Sequence, residues 1–373
     1  MVKGFDEEIK IKKLETFTTE YISVVKLTME DESAGWGQMS TYCADISAKI
    51  FHRQVAPHVL GKVFVSFHDM ESFVLEREHK FPGSYLLRAI AGLDTALWDW
   101  IGKKKEVPVT SLIGGVAGQV PAYASSMKRD ITPSAEAQRL CRLRDQFGFK
   151  AFKFRVGSEC GRGEDQWDGR TEEIISLVPK ELGPDCIKMV DANSCYGANQ
   201  AIEIGKKLEA NGIVHFEEPC PYWLPYETKK VTDALKIDVT GGEQDCDFRV
   251  WREIIEKNIV DVVQPDVMYM GGLTRSLEIA RMAAKKNITC TPHAANLSLV
   301  TVCTLHFLNA IENGGNFLEF SIEGEDYYPW QMNLFTGDPF SITDGSLTIS
   351  DRPGWGVTFN PGWLDGSKYQ CSS

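Results

Sequence analysis

The 373-residue chain has no run of basic residues, no Cys-x-x-Cys pair and no low-complexity segment. No apolar stretch reaches the ~18 residues that a transmembrane helix needs. Each absence excludes a class of protein. Without clustered Lys and Arg, and with a formal net charge of −12, neither nucleic acid nor an anionic membrane surface is an expected partner. The start, Met1-Val-Lys-Gly-Phe-Asp-Glu-Glu8, is charged and lacks the apolar core of a signal peptide. Ten cysteines lie scattered from Cys43 to Cys371, as free thiols of a reducing compartment would. A cytoplasmic protein is expected. Its acidity still permits an anionic small-molecule substrate, because cations within a site act locally.

What remains is an ordinary globular composition, 43% hydrophobic and 25% charged. The length accommodates a barrel of ~250 residues and a second domain. Residues 9–17 and 21–29 read as two strands, and Trp36–Met39 as a third. Helical patterns follow over 43–60, 65–78 and 85–102, the last with Leu86, Ala89, Ile90, Leu93, Leu97, Trp98 and Ile101 on one apolar face. Strands first and helices second is an α+β pattern, so residues 1–120 form one domain. Over 121–324 strands and helices alternate, the first strand opening at Val120. Strand candidates are 120–125, 151–155, 187–191, 214–217, 237–243, 260–266, 288–293 and 316–319. Eight βα units close into a packed (β/α)8 barrel. The last stretch, 325–373, is rich in Gly, Pro, Trp and Phe and is expected to fold back on the first domain.

The chemistry sits in the repeat. Asp191, Glu217 and Glu243 each close an apolar run and lie 26 residues apart, one strand plus one helix plus two loops. They therefore occupy equivalent places at the C-terminal mouth of the barrel, where such folds place their chemistry. Three bare carboxylates there would repel one another by roughly 4 kcal/mol per pair at 4 Å. A hard divalent cation relieves this, and all-oxygen ligands favour Mg2+. The register continues through Asp266, His293 and Glu319, at intervals of 23, 27 and 26 residues. Asp266 and His293 on adjacent strands can pair, the carboxylate fixing the imidazole tautomer and leaving the other nitrogen as a general base. In Ala151-Phe-Lys153-Phe-Arg155, period two puts both cations on one face, turned into the barrel mouth, where they can neutralise a substrate carboxylate. The stretch 156–171 lengthens the second unit and reads as either an active-site lid or a solvated surface loop. Tyr42 is either part of a substrate-facing cap or ordinary packing.

These residues resemble the enolase superfamily, specifically its mandelate racemase subgroup, over nearly the whole chain. The resemblance is carried by Gly35-Trp36-Gly37-Gln38, by Ala89–Lys103 with Pro108 and Leu112–Gly115, and by Asp191-Ala-Asn193, Glu217-Glu218-Pro219, Gly242-Glu243, Pro265–Gly272 and His293. It implies a modified (β/α)8 barrel, an α+β capping domain over it, a homo-oligomer, and Asp191, Glu217 and Glu243 as ligands of Mg2+. It also implies abstraction of the proton beside a metal-bound substrate carboxylate, with Glu319 holding its own proton to bond that carboxylate, as burial beside an anion would allow. Asn193 is a candidate substrate contact. One position departs from the subgroup: where its second strand usually carries Lys-x-Lys, this chain has Lys153-x-Arg155. Arginine stays protonated, so the only competent base is His293 with Asp266. One base suits β-elimination of water from an aldonate or aldarate, giving a 2-keto-3-deoxy acid, and a histidine base points to the R configuration at C2. A racemase or epimerase of a 2-hydroxy acid, or a silent metal-binding scaffold, are the alternatives.

Overall fold

The computed structural model describes residues 8–373; the charged stretch 1–7 lies outside the described residues. The chain opens with an antiparallel meander of β1 (Ile9–Thr18), β2 (Ser23–Met29) and β3 (Ala34–Gln38), and β4 (Val63–Phe64) pairs with the start of β1. Helix Ser84–Lys104 lies against β3. A side chain at position 37 would place its Cβ 2.5 Å from the Ala96 amide nitrogen, and one at 35 would meet Trp100 Cβ at 2.7 Å. Gly35 and Gly37 are what let strand and helix touch. The expected helix over 43–60 is divided into Ala44–Ile50, a π-turn at Phe51–Val55 and Ala56–Val59. Pro57 removes an amide donor and clashes with the preceding turn, so the ladder cannot run through it.

Eight parallel strands follow: β5 (Gln119–Ser125), β6 (Ala151–Arg155), β7 (Ile187–Asp191), β8 (His215–Glu217), β9 (Asp238–Gly241), β10 (Val262–Val263), β11 (Thr289–Cys290) and β12 (Leu318–Ser321). Each of β5 to β10 pairs with the next, and β12 returns beside β5. At the seam, Cys290 bridges Gly314 just ahead of β12, and the Gly315 amide donates to the Cys290 carbonyl at 3.0 Å. The strands bearing Asp266 and His293 are shorter than their apolar patterns predict. Pro265 and Pro292 each lack an N–H and end the ladder, leaving Asp266 and His293 joined by a single parallel bridge beyond it.

Period two decides what faces inward. Phe152 and Phe154 are buried among the helices around the barrel, while Ala151 packs inside with Tyr123 and Met189. After the barrel, β13 (Ser346–Thr348) pairs with β5, and β14 (Lys368–Ser372) pairs with β1. Trp355 donates its backbone amide to Asp99 and its indole N–H to the Thr95 carbonyl. Phe335, Trp355 and Phe359 share one buried cluster with the meander and its helices. Polar staples lock the cap onto the barrel: Arg275 to Glu71 at 2.5 Å, and Gln38 to Ser298 Oγ at 2.9 Å and to the Leu299 amide. All ten cysteines are free. Among the described residues, no helix is long and apolar enough to cross a membrane.

Candidate active site

The C-terminal ends of β6 to β12 carry a set of ionisable side chains, none of Lys153, Arg155, Asp191, Glu217, Glu243, Asp266, His293 or Glu319 more than 8% exposed. Register brings Asp191 and Glu217 side by side. Glu243 stands two residues past β9, after Gly242. Three of the chain's own cations face these carboxylates. Arg155 Nη1 pairs with Asp191 Oδ2, Lys153 Nζ lies 2.5 Å from Glu217 Oε1, and His293 Nε2 lies 3.2 Å from Glu243 Oε2. Lys153 also reaches Glu319 Oε1 at 2.7 Å. Gln264 donates to the second oxygen of Glu217 at 2.6 Å. Each predicted ligand is thus paired with a cation of its own, and among the described residues no three His, Cys, Asp or Glu side chains form a ready-made cage.

The Asp266–His293 pair is formed. His293 Nδ1 lies 2.8 Å from Asp266 Oδ2. The other oxygen, Oδ1, accepts the amides of Met268 and Tyr269 and so caps the short helix Val267–Met270. Anchoring by two backbone amides fixes the carboxylate, and the carboxylate fixes the ring. The ring of Tyr269 lies 6.0 Å from that of His293, and the Arg88 guanidinium stacks 3.6 Å over the tyrosine. Burial alone would lower the His293 pKa, but Glu243, Glu319 and Asp266 outweigh it and raise it to about 10.

Glu319 lies between Lys153 and the Ala294 amide. Burial would raise its pKa, yet Lys153 and His293, helped by the Ala294 amide at 2.8 Å, hold it below the ordinary value. Ser125 Oγ donates to its other oxygen at 2.8 Å. Lys153 stays charged for the same reason: burial opposes its charge, but Glu217 and Glu319 hold its pKa well above the ordinary range. Arg155 is likewise held cationic against burial by Asp191, Glu243 and Glu217.

Asn193 bonds inward: its amide N–H meets Asp191 Oδ1 at 2.6 Å and its side chain donates to Glu218 Oε2 at 3.2 Å. Tyr42 donates to the Tyr328 hydroxyl at 3.1 Å and packs edge-on to Tyr21 and Trp330. The aromatic group spans the Thr18–Tyr21 link and the C-terminal segment. The loop 156–171 is tied down on the segment after β7: Gly161 N–H to Ser194 O at 2.8 Å, and Gly163 N–H to Cys195 O at 2.9 Å.

Sequence reading missed Glu218. Burial first, then Glu243, Asp191 and Glu217, push its pKa well up, and its Oε1 is buried with no partner. Gln264 Oε1 is buried and unpartnered too. Four carboxylates in one another's field, with a buried oxygen of Glu218 and one of Gln264 left open, form a hard-oxygen set that a Mg2+ ion would suit. The signal for Glu218 was its place beside Glu217; nothing in the sequence separates Gln264 from any other strand-end amide.

A capped (β/α)8 barrel whose mouth joins acidic strand ends to a carboxylate–histidine pair and a buried lysine defines a class of acid–base enzyme. Residues 135–363 match the "Enolase C-terminal domain-like" family, and residues 8–114 match the "Mandelate racemase / muconate lactonizing enzyme, N-terminal domain". The chain belongs to the enolase superfamily, in its mandelate racemase/muconate lactonizing enzyme family. Among its relatives, an arabinonate dehydratase of Saccharolobus solfataricus is 27% identical, with 100% of this chain and 97% of that protein covered. A solved structure of a "putative racemase" from Roseobacter denitrificans is 55% identical, with a TM-score of 0.97 over 98% of this chain and 100% of that one. A mandelate racemase/muconate lactonizing protein from Paracoccus denitrificans, solved with magnesium, is 25% identical, with a TM-score of 0.88 and 98% of each chain covered.

Proposed function

We propose that this enolase-superfamily enzyme is a carbon–oxygen lyase that dehydrates a sugar acid, an aldonate or aldarate, to the 2-keto-3-deoxy acid. The observation that carries this reading is the Asp266–His293 pair at 2.8 Å on a barrel mouth whose other cations, Lys153 and Arg155, are both held in the charged state. His293 is also held protonated while Glu243 faces it, but an imidazole freed from that contact can shed its proton and act as a base, which an arginine cannot. The dehydratase name of the Saccharolobus relative supports the same chemistry.

Asp191, Glu217 and Glu243 would hold Mg2+, with Glu218 beside them. When bound, the ion neutralises those carboxylates and stabilises the charge that develops on the substrate's carboxylate oxygens. Lys153 binds and polarises the substrate carboxylate from the β6 side. His293 Nε2 takes the C2 proton once its contact with Glu243 opens, while Asp266 holds Nδ1–H and keeps the ring oriented. The C3–oxygen bond then breaks, and His293 returns the proton so that hydroxide leaves as water. The resulting enol tautomerises to the keto acid. Arg155 contributes fixed positive charge and no proton transfer. Asn193 and Tyr42 are the substrate contacts of this scheme, and Glu319, 2.7 Å from Lys153, joins it in binding the carboxylate.

A racemase or epimerase is the second reading, favoured by the name of the 55%-identical structure. A screen of C5 and C6 sugar acids with Mg2+ separates the two. Formation of a 2-keto-3-deoxy acid upholds the dehydratase. Exchange of the C2 proton of both enantiomers in deuterated water, with no loss of water, replaces it with the racemase.

A further inference from the structure

Arg129 was singled out by no motif, yet it is a cation with buried donors left unmatched. It follows β5 at the barrel mouth. Its Nε and Nη2 are buried and meet no hydrogen-bond partner, and among the described residues it forms no ion pair. Its neighbours on the same side of the barrel are provided for: Lys128 pairs with Asp326 at 2.5 Å and Arg139 with Glu323 at 2.8 Å. Burial, and then the field of Arg155, disfavour the charge on Arg129, with Asp191 the chief compensating anion. Asp191 is already engaged by Arg155 and by the Asn193 amide. Arg155 Nε is itself buried without a partner.

The loop that carries Arg129 is held in place from both sides. Arg170 donates to the carbonyls of Lys128, Ile131 and Arg155, the last at 3.0 Å. A fold that fixes a guanidinium and then leaves its donors unmatched, beside a second guanidinium, is arranged for an anion that arrives from outside. Lys153, the candidate for the reacting carboxylate, is two residues from Arg155 on the same face of β6. That is about 7 Å along the strand, within the span of an extended sugar diacid.

We propose that Arg129 and the free edge of Arg155 form a second anion subsite, and that the substrate carries a second anionic group at its far end. This rests on the dehydratase reading and narrows it from sugar acids in general to doubly anionic ones, foremost the aldarates. The second group is a carboxylate or a phosphate, and the substrate panel tells them apart.

The test compares stereochemically matched aldonates, aldarates and phosphorylated aldonates on the Mg2+-loaded enzyme, wild type, Arg129→Gln and Arg129→Lys. The wild type is expected to prefer one doubly anionic series. Arg129→Gln should lower kcat/KM for that series by about 10- to 100-fold, the range for losing a hydrogen bond to a charged group, mainly through KM. Arg129→Lys should restore part of it. Equal use of aldonates by the wild type, or a loss in Arg129→Gln shared equally by all three series, overturns the subsite. Calorimetry of glutarate against butyrate needs no turnover. Glutarate-selective binding that Arg129→Gln abolishes upholds the subsite even if no sugar acid is dehydrated, and equal binding of the two acids overturns it.

Discussion

Asp266 illustrates how one side chain serves both structure and chemistry. Its Oδ1 caps the helix Val267–Met270, and its Oδ2 holds His293. Removing each role separately should separate the effects. Asp266→Asn keeps an acceptor oxygen for the cap, so its urea-unfolding midpoint should stay near wild type. Asp266→Ala loses the cap as well and should cost about 1 kcal/mol more. Both should lose about 10²- to 10⁴-fold in kcat, the usual share of a general base. Retained turnover in Asp266→Asn would count against the dyad. At this scale the sequence was legible wherever strand register placed a residue, as for Asp191, Glu217, Lys153 and His293. It says nothing of the contact between Lys153 and Glu319, 2.7 Å apart. That contact joins two strands remote in the chain and has no trace in local pattern.

Elements were legible to the degree that hydrophobic period alone defines them. The strand at Ala151–Arg155 and the helix Ser84–Lys104 follow their patterns closely. Where proline intervenes, apolar pattern overstates the element, as at Pro57, Pro265 and Pro292. The contact between β3 and helix Ser84–Lys104 depends on absent side chains instead. Gly37→Ala would drive a methyl group into the Ala96 backbone. It should destabilise the protein by about 1–3 kcal/mol through overpacking. Gly118→Ala is the control, because nothing lies within 4 Å of its Cβ position, and it should stay within about 0.5 kcal/mol. Matching melting temperatures for the two variants would refute the close-contact account.

Across the whole molecule, the cap, the barrel and the C-terminal segment are joined by buried groups that must remain uncharged. His306, on a barrel helix, accepts the Thr110 amide at 3.0 Å, and burial pushes its pKa down to about 3. His52, between Thr16 Oγ1 and Ser372 Oγ, is lowered by burial to about 4. A depressed folded pKa gives stability that is complete above the unfolded value near 6.5 and is lost as pH falls toward the folded one. For His306 this is on the order of 3 kcal/mol that disappears between pH 6.5 and 4, and His52 adds to the loss in the same direction. Urea midpoints measured from pH 7 to 4.5 should fall. His306→Gln, whose amide oxygen can still accept the Thr110 N–H, should fall less. An identical acid slope in the variant would sink the account.

By itself the sequence determined the alternation of strand and helix, the eight-unit barrel and the gathering of acidic strand ends at one mouth. These follow from periods of 2 and 3.6 and from even spacing, which are properties of neighbouring residues. Only the tertiary structure decided which cation faces which carboxylate and that Arg129 has donors to spare. Charge states and open hydrogen bonds depend on burial and on distances between strands remote in the chain, and those exist only once the ring has closed.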